Sequence, residues 1–146
     1  MKVFETPVPT NTTIDDAGRR AAVFQLSLPA ATFKAGLAPI NTNYRYLDDE
    51  LAYLWDNGDV VAVVFHGTFA ERIEGIRARV PRVQTWLWVD DGSGPCPHWA
   101  TPYETAAAKG TAAAVSGPWG RSGDHLLLLY TGGTTGMPKG VMWRQD

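Results

Sequence analysis

The stretch "VVAVVFHGTFAERIEGIRARVPRVQTWLWVD" fills residues 60–90, and its reading decides the fold. It opens on "VVAVVFH", a continuous β-branched apolar run that predicts a strand buried on both faces. After a turn at Gly67, Phe69, Ile73, Ile76 and Val80 fall on one helical stripe that Pro81 closes. "VQTWLWVD" then predicts a second strand, with Trp86 and Trp88 on one face because they alternate about Leu87. That face is expected to lie under a helix or a neighbouring sheet, and an aromatic ligand platform is the weaker reading. Upstream, "YLDDELAYLWDNGD" spaces Leu47, Leu51, Leu54 and Trp55 along one helix face. Asp48, Asp49 and Glu50 sit at its positive N-terminal end, and Gly58 follows as the expected C-terminal cap. Helix, strand, helix and strand in this order predict parallel strands joined by crossover helices, an α/β architecture.

The flanks are less regular. Residues 1–20 are polar and punctuated by Pro7, Pro9 and Gly18, "AAVFQLSLPAATFKAGLAP" after them is apolar but interrupted by Pro29, and residues 1–28 are expected to be poorly ordered. A helix is expected to begin near Pro29, since proline suits a first turn, and to end at Gly36. "DGSGPCPHW" and "SGPWGRSGD" predict loops, and "YETAAAKGTAAAV" a short surface helix weakened by Gly110. "HLLLLYT" predicts a strand and "GVMW" its partner. There are no internal repeats.

Composition narrows the function classes. With 45% hydrophobic and 19% charged residues over 146 positions, the chain is globular and long enough for a core. Its net charge of −2, with both signs interspersed, offers no basic face for nucleic acid. No apolar run approaches the roughly 20 residues that span a bilayer, and no signal peptide follows Lys2. The one cysteine, Cys96, fits a reducing compartment, so a soluble cytoplasmic protein is expected.

Between the last two predicted strands lies "YTGGTTGMPKG", residues 130–140, with four glycines, three threonines, one proline and one lysine. Glycine lets backbone N–H groups turn inward toward an anion. Thr131, Thr134 and Thr135 add hydroxyls and Lys139 adds a mobile cation, a set suited to a polyphosphate. The pattern is not GxxxxGK[ST], because Pro138 precedes Lys139 and Gly140 follows it; this disfavours a P-loop NTPase. No helix is predicted after it, so a phosphate would not rest on a helix N-terminus. A flexible loop between two strands is expected.

"YTGGTTGMPKGVM" resembles the phosphate loop of the adenylate-forming superfamily, matching [YF]-[TS]-[SG]-G-[TS]-T-G-x-P-K-G at every position from Tyr130 to Gly140. "FKAGLAPINTNYRYLDDELAYLWDNGDVVAVV", residues 33–64, is similar to the "KAG…P.N..Y...EL.Y.L" segment of fatty acyl-CoA synthetases. Trp143 and Arg144 look like those of fatty and steroid-chain acyl-CoA synthetases of actinobacteria. The resemblance implies a partial AMP-binding domain over residues 29–146, from the N-terminal domain of an acid–CoA ligase. It implies ATP, Mg2+ and coenzyme A as cofactor and co-substrates, and a carboxylic acid, fatty in kind, as substrate. Thr131, Gly132, Gly133, Thr134, Thr135 and Gly136 would hold the β- and γ-phosphates, and Lys139 would neutralise departing pyrophosphate. Magnesium would bridge the phosphates; its principal protein carboxylate, the adenine-binding segment, the hinge and the C-terminal lid are not among these residues, so none of them is expected to be a metal ligand.

The chain is therefore expected to be a fragment without ligase activity of its own, poorly soluble where its sheet is interrupted. The competing reading is a non-enzymatic remnant that keeps only the phosphate loop. Cys96 to His98 is a plain loop without a second ligand pair at zinc spacing. His66 and His125 are strand-end histidines. Asp48-Asp49 and Asp90-Asp91 are helix-start and turn residues, since adjacent residues do not converge on one atom. Tyr44, Arg45 and Tyr46 receive no catalytic role, and Lys34 and Lys109 are read as solvent-facing charges.

Overall fold

The computed structural model describes residues 31–33, 35–110, 120, 122–133 and 136–144. The expected disorder of residues 1–28, the helix start at Pro29, Lys34, Thr134 and Thr135, and most of "SGPWGRSGD" lie outside them. Two three-stranded sheets are formed, in the orders β1-β5-β6 and β2-β3-β4. The strands are β1 (Ile40–Asn41), β2 (Ala62–His66), β3 (Thr85–Val89), β4 (Thr101–Pro102), β5 (Leu126–Gly133) and β6 (Gly136–Arg144). Among the described residues, the helices that accompany these strands include α1 (Asp48–Asn57), α2 (Ala70–Ile76) and α3 (Tyr103–Ala108).

The decisive stretch folds largely as read. β2 and β3 pair in parallel, from Ala62 opposite Thr85 to His66 opposite Val89, with α2 as the crossover. Ile73, Ile76 and Val80 are buried on its stripe, which short 3-10 turns extend at both ends. One expectation fails. β2 is buried on one face only, through Val63 and Phe65, while Ala62 is exposed and Val64 half-buried. The alternation comes from the core lying on a single side. α1 and the aromatics cover that side: Trp55 meets Trp86 edge-on at 5.8 Å, Trp86 meets Trp99 edge-on at 5.7 Å, and Phe65 stacks on Trp99 at 5.4 Å. Trp86 and Trp88 thus share a core face beneath a helix.

α1 departs from its reading at both ends. Leu51, Leu54 and Trp55 are buried with Ala52, but Leu47 is 66% exposed. It is the N-cap residue, outside the helical stripe, and its N–H donates to Glu50 Oε2 at 2.7 Å. Gly58 is the C-terminal cap with φ of −86°, so it does not supply the left-handed turn; Asp59 does, at φ 49°. Gly58 is required for space instead, since a Cβ there would lie 2.8 Å from Ile40 Cδ1 and 3.0 Å from the Leu54 carbonyl. Gly36 does end the first helical turn in the left-handed region, at φ 73°. Its N–H donates to Phe33 O and that of Leu37 to Thr32 O, a Schellman closure.

The paired aspartates diverge. Asp48 meets Arg72 Nε at 3.2 Å and Asp49 meets Arg79 Nη2 at 2.8 Å, joining α1 to the α2 segment. Asp90 accepts the N–H of Gly92 within its turn. Asp91 accepts the N–H of Thr68 at 3.0 Å and the N–H and hydroxyl of Ser93. Burial alone would raise the Asp91 pKa, but the Ser93 hydroxyl, the two N–H groups and the charge of His66 outweigh it and lower the pKa. A carboxylate favoured by folding stabilises above the ordinary value, about 3.9, and that contribution fades as pH falls through the lowered one. Asp91→Ala is therefore expected to lower the urea midpoint at pH 7 by the equivalent of about 0.5–1 kcal/mol, the site being exposed, and to matter less at pH 3. Equal losses at both pH values would contradict this.

Candidate phosphate-binding hairpin

β5 and β6 run antiparallel from Leu126 opposite Arg144 to Gly133 opposite Gly136. Tyr130, which pairs with Gly140, and Thr131 lie on the strands read from "HLLLLYT" and "GVMW"; the pairing of Thr131 with Lys139 and of Gly133 with Gly136 carries the ladder into the stretch expected to be loop. From Thr131↔Lys139 to Gly133↔Gly136, β5 advances two residues and β6 three, so β6 carries a bulge. Pro138 sits in that bulge on the sheet's edge strand, where a missing N–H breaks no ladder bond. Its side chain is fully buried, whereas Lys139 is exposed. A strand, not a helix, follows the motif, as read.

Two motif positions serve the scaffold. A Cβ at Gly140 would lie 3.1–3.4 Å from ring carbons of Tyr130, so the ring lies against the glycine across the ladder. Tyr130 Oη donates to Asn57 Oδ1 at 2.9 Å, and Tyr130 O accepts from Tyr46 Oη at 3.1 Å. Burial raises the pKa of both phenols, helped by Glu50 at Tyr46 and by Tyr53 and Asp59 at Tyr130, so both remain protonated donors at neutral pH. β1 flanks β5 in parallel, Ile40 opposite Leu128, and Pro39 O accepts the Leu128 N–H. His125 stacks on Phe33 at 6.2 Å just before β5. Arg144 pairs with Asp124 near the open end of the hairpin.

The backbone therefore brings Thr131 against Lys139 and Gly133 against Gly136, with Gly132 between, at the tip of a hairpin. Tyr46 and Asn57 had no signal pointing to the hairpin, being 84 and 73 residues from Tyr130. Among the described residues no three His, Cys, Asp or Glu side chains cluster as a metal ion would require. Cys96 lies 3.6 Å from the carbonyls of Pro97 and Ala100, and burial raises its pKa. No described helix is long and apolar enough to cross a membrane.

The chain thus combines a parallel β2-β3-β4 sheet joined through a crossover helix with a second sheet that ends in this glycine-rich hairpin. The family model described as AMP-binding enzyme matches residues 26–146, and the chain belongs to that family. It is 44% identical over 115 residues to a medium/long-chain-fatty-acid–CoA/3-oxocholest-4-en-26-oate–CoA ligase of Mycobacterium tuberculosis, covering 77% of this chain and 21% of that protein. It is 38% identical over 118 residues to the 3-oxocholest-4-en-26-oate–CoA ligase of Rhodococcus rhodochrous, covering 80% and 21%. Among solved structures, apo MatB from Rhodopseudomonas palustris superposes with a TM-score of 0.63 at 31% identity, covering 84% of this chain and 23% of that one. The anthranilate CoA ligase AuaEII gives 0.65 at 22% identity, covering 78% and 21%, a likeness of fold. The chain spans about a fifth of the length of the curated relatives it matches.

Proposed function

We propose that these residues form the phosphate-binding part of an ATP-dependent acid–CoA ligase acting on a fatty carboxylic acid. In that reaction a carboxylate oxygen attacks the α-phosphate of ATP, the bond to the β-phosphate oxygen breaks, and pyrophosphate leaves. The thiol of coenzyme A then displaces AMP from the acyl-adenylate. Transfer of this kind depends on positioning and charge stabilisation. Thr131, Gly132, Gly133, Thr134, Thr135 and Gly136 would hold the β- and γ-phosphates, and Lys139 would offset the charge growing on pyrophosphate. The described residues present no carboxylate cluster for magnesium. The observation that carries the reading is the hairpin, whose ladder pairs Tyr130 with Gly140, Thr131 with Lys139 and Gly133 with Gly136.

A hairpin reading terminal phosphates has a distinct ligand order. ATP and pyrophosphate are expected to shift the amide resonances of residues 131–140 at millimolar concentration, and AMP to leave them in place. The 146-residue chain is expected to release no pyrophosphate when given fatty acid, ATP and coenzyme A, because a hairpin alone excludes no water from a reacting centre. Shifts mapping to β2 and β3 instead, or an AMP response as large as that of ATP, would overturn the assignment.

A further inference from the structure

We propose that Tyr46 and Asn57, both outside the glycine-rich motif, are positioning residues that set the phosphate hairpin against α1. The proposal rests on the phosphate reading of that hairpin. Tyr130 is held from both ends of one helix: Tyr46, two residues before α1, bonds its carbonyl, and Asn57, the last residue of α1, accepts from its hydroxyl. The Tyr46 side is itself fixed. It is 4% exposed, and Arg72 Nη1 from α2 donates to its carbonyl at 2.9 Å. Gly140 completes the seat by lying against the Tyr130 ring.

The physical need is clear from the tip. Glycine loses more conformational freedom on ordering than any other residue, and an isolated two-stranded hairpin is marginal in water. A ligand that must order such a tip binds more weakly. Fixing the base of the hairpin at Tyr130, one residue before Thr131, removes part of that cost before the ligand arrives. The brace thus connects the α2 crossover, through Arg72 and Tyr46, to the start of the phosphate-binding backbone.

Hydrogen exchange with peptide-level mass spectrometry on the 146-residue chain tests this, with and without added ATP. Tyr46→Phe and Asn57→Ala are expected to speed exchange of the 126–144 peptides by about three- to tenfold, as loss of one hydrogen bond should. Peptides covering 62–66 and 85–89 should keep their rates. The ATP concentration giving half-maximal protection should rise by a similar factor. Asn57→Asp, which keeps an acceptor, should restore the hairpin, and Tyr44→Phe, at a 65% exposed site, should change nothing. Unchanged hairpin exchange in both brace variants, or acceleration spread equally over β2 and β3, overturns the proposal. Absence of ATP protection in the unaltered chain overturns the phosphate reading instead, and the exchange rates without nucleotide still decide the brace.

Discussion

Trp86→Ala is expected to destabilise the chain by about 3–5 kcal/mol, as loss of a large buried aromatic does. Trp86 is 7% exposed and contacts Trp55 of α1 on one side and Trp99 on the other. Truncation therefore opens a cavity where helix, sheet and the loop after β3 meet, and none of the three collapses independently. Small domains are stable by only about 5–15 kcal/mol, so the variant should sit near the edge of folding, with Tm lower by roughly 10–20 °C. Trp88→Phe provides the contrast. Trp88 is nearly as buried, but its Nε1–H has no hydrogen-bond partner among the described residues. Phenylalanine keeps an aromatic ring and removes an unsatisfied donor, so it should cost well under half as much. Thermal melts followed by near-ultraviolet circular dichroism distinguish the two, and a Trp86→Ala midpoint within 2 °C of the unaltered chain would refute the packing argument.

What the sequence reveals follows from the range of the forces involved. Periodicity is local, and it located α1, β2, α2 and β3 with their parallel order. The alternation of Trp86 and Trp88 likewise placed both on the core face. Failures occur where a residue's role depends on something distant. The run "VVAVVFH" looks buried on both sides because all its residues are apolar, yet only the placement of α1 and the tryptophans decides which face meets the core. Leu47 fits the stripe by spacing and is excluded by standing one residue outside the helix. Gly58 was read as a conformational need and proves to be a spatial one, set by Ile40 from 18 positions upstream. The two-residue β1 gave no signal, because its partner among the described residues, β5, begins 85 residues later.

The hairpin divides in the same way. Chemistry-bearing residue types in the motif are legible one by one: glycines for close approach, threonines for hydroxyl donors, lysine for charge. Which of them bind ligand and which hold the frame is not. Tyr130, Pro138 and Gly140 belong to the frame, as the ring on glycine, the buried proline and the bulge indicate. The ladder also tightens what looked like a loop between Thr131 and Gly140, because antiparallel pairing runs on past the bulge to Gly133 and Gly136. Under the proposed function, the motif residues left to meet a ligand are those from 131 to 136 together with Lys139.

On that division, Lys139→Ala is expected to cost ATP and pyrophosphate binding about 1.5–3 kcal/mol, or roughly 10- to 100-fold, the worth of a hydrogen bond to a charged group. Lys139 is exposed, stands opposite Thr131 in the ladder and supplies no core packing, so the loss should come without a change in Tm or in hairpin exchange. Exposure also means that salt screens it; the gap between lysine and alanine should narrow as ionic strength rises. Lys139→Arg keeps the charge on a longer fork and should retain most of the affinity. In a complete ligase carrying this segment, the same alanine substitution should slow adenylate formation by about 100- to 1,000-fold, the effect of removing one preorganised donor from a charge-developing centre. Rate and affinity are expected to separate there, because charge on the departing pyrophosphate grows in the transition state and the lysine acts most strongly at that point. Pyrophosphate-release rates at saturating ATP measure it. A Lys139→Ala enzyme that binds ATP poorly but turns over at the full rate when saturated would show that the lysine only gathers substrate.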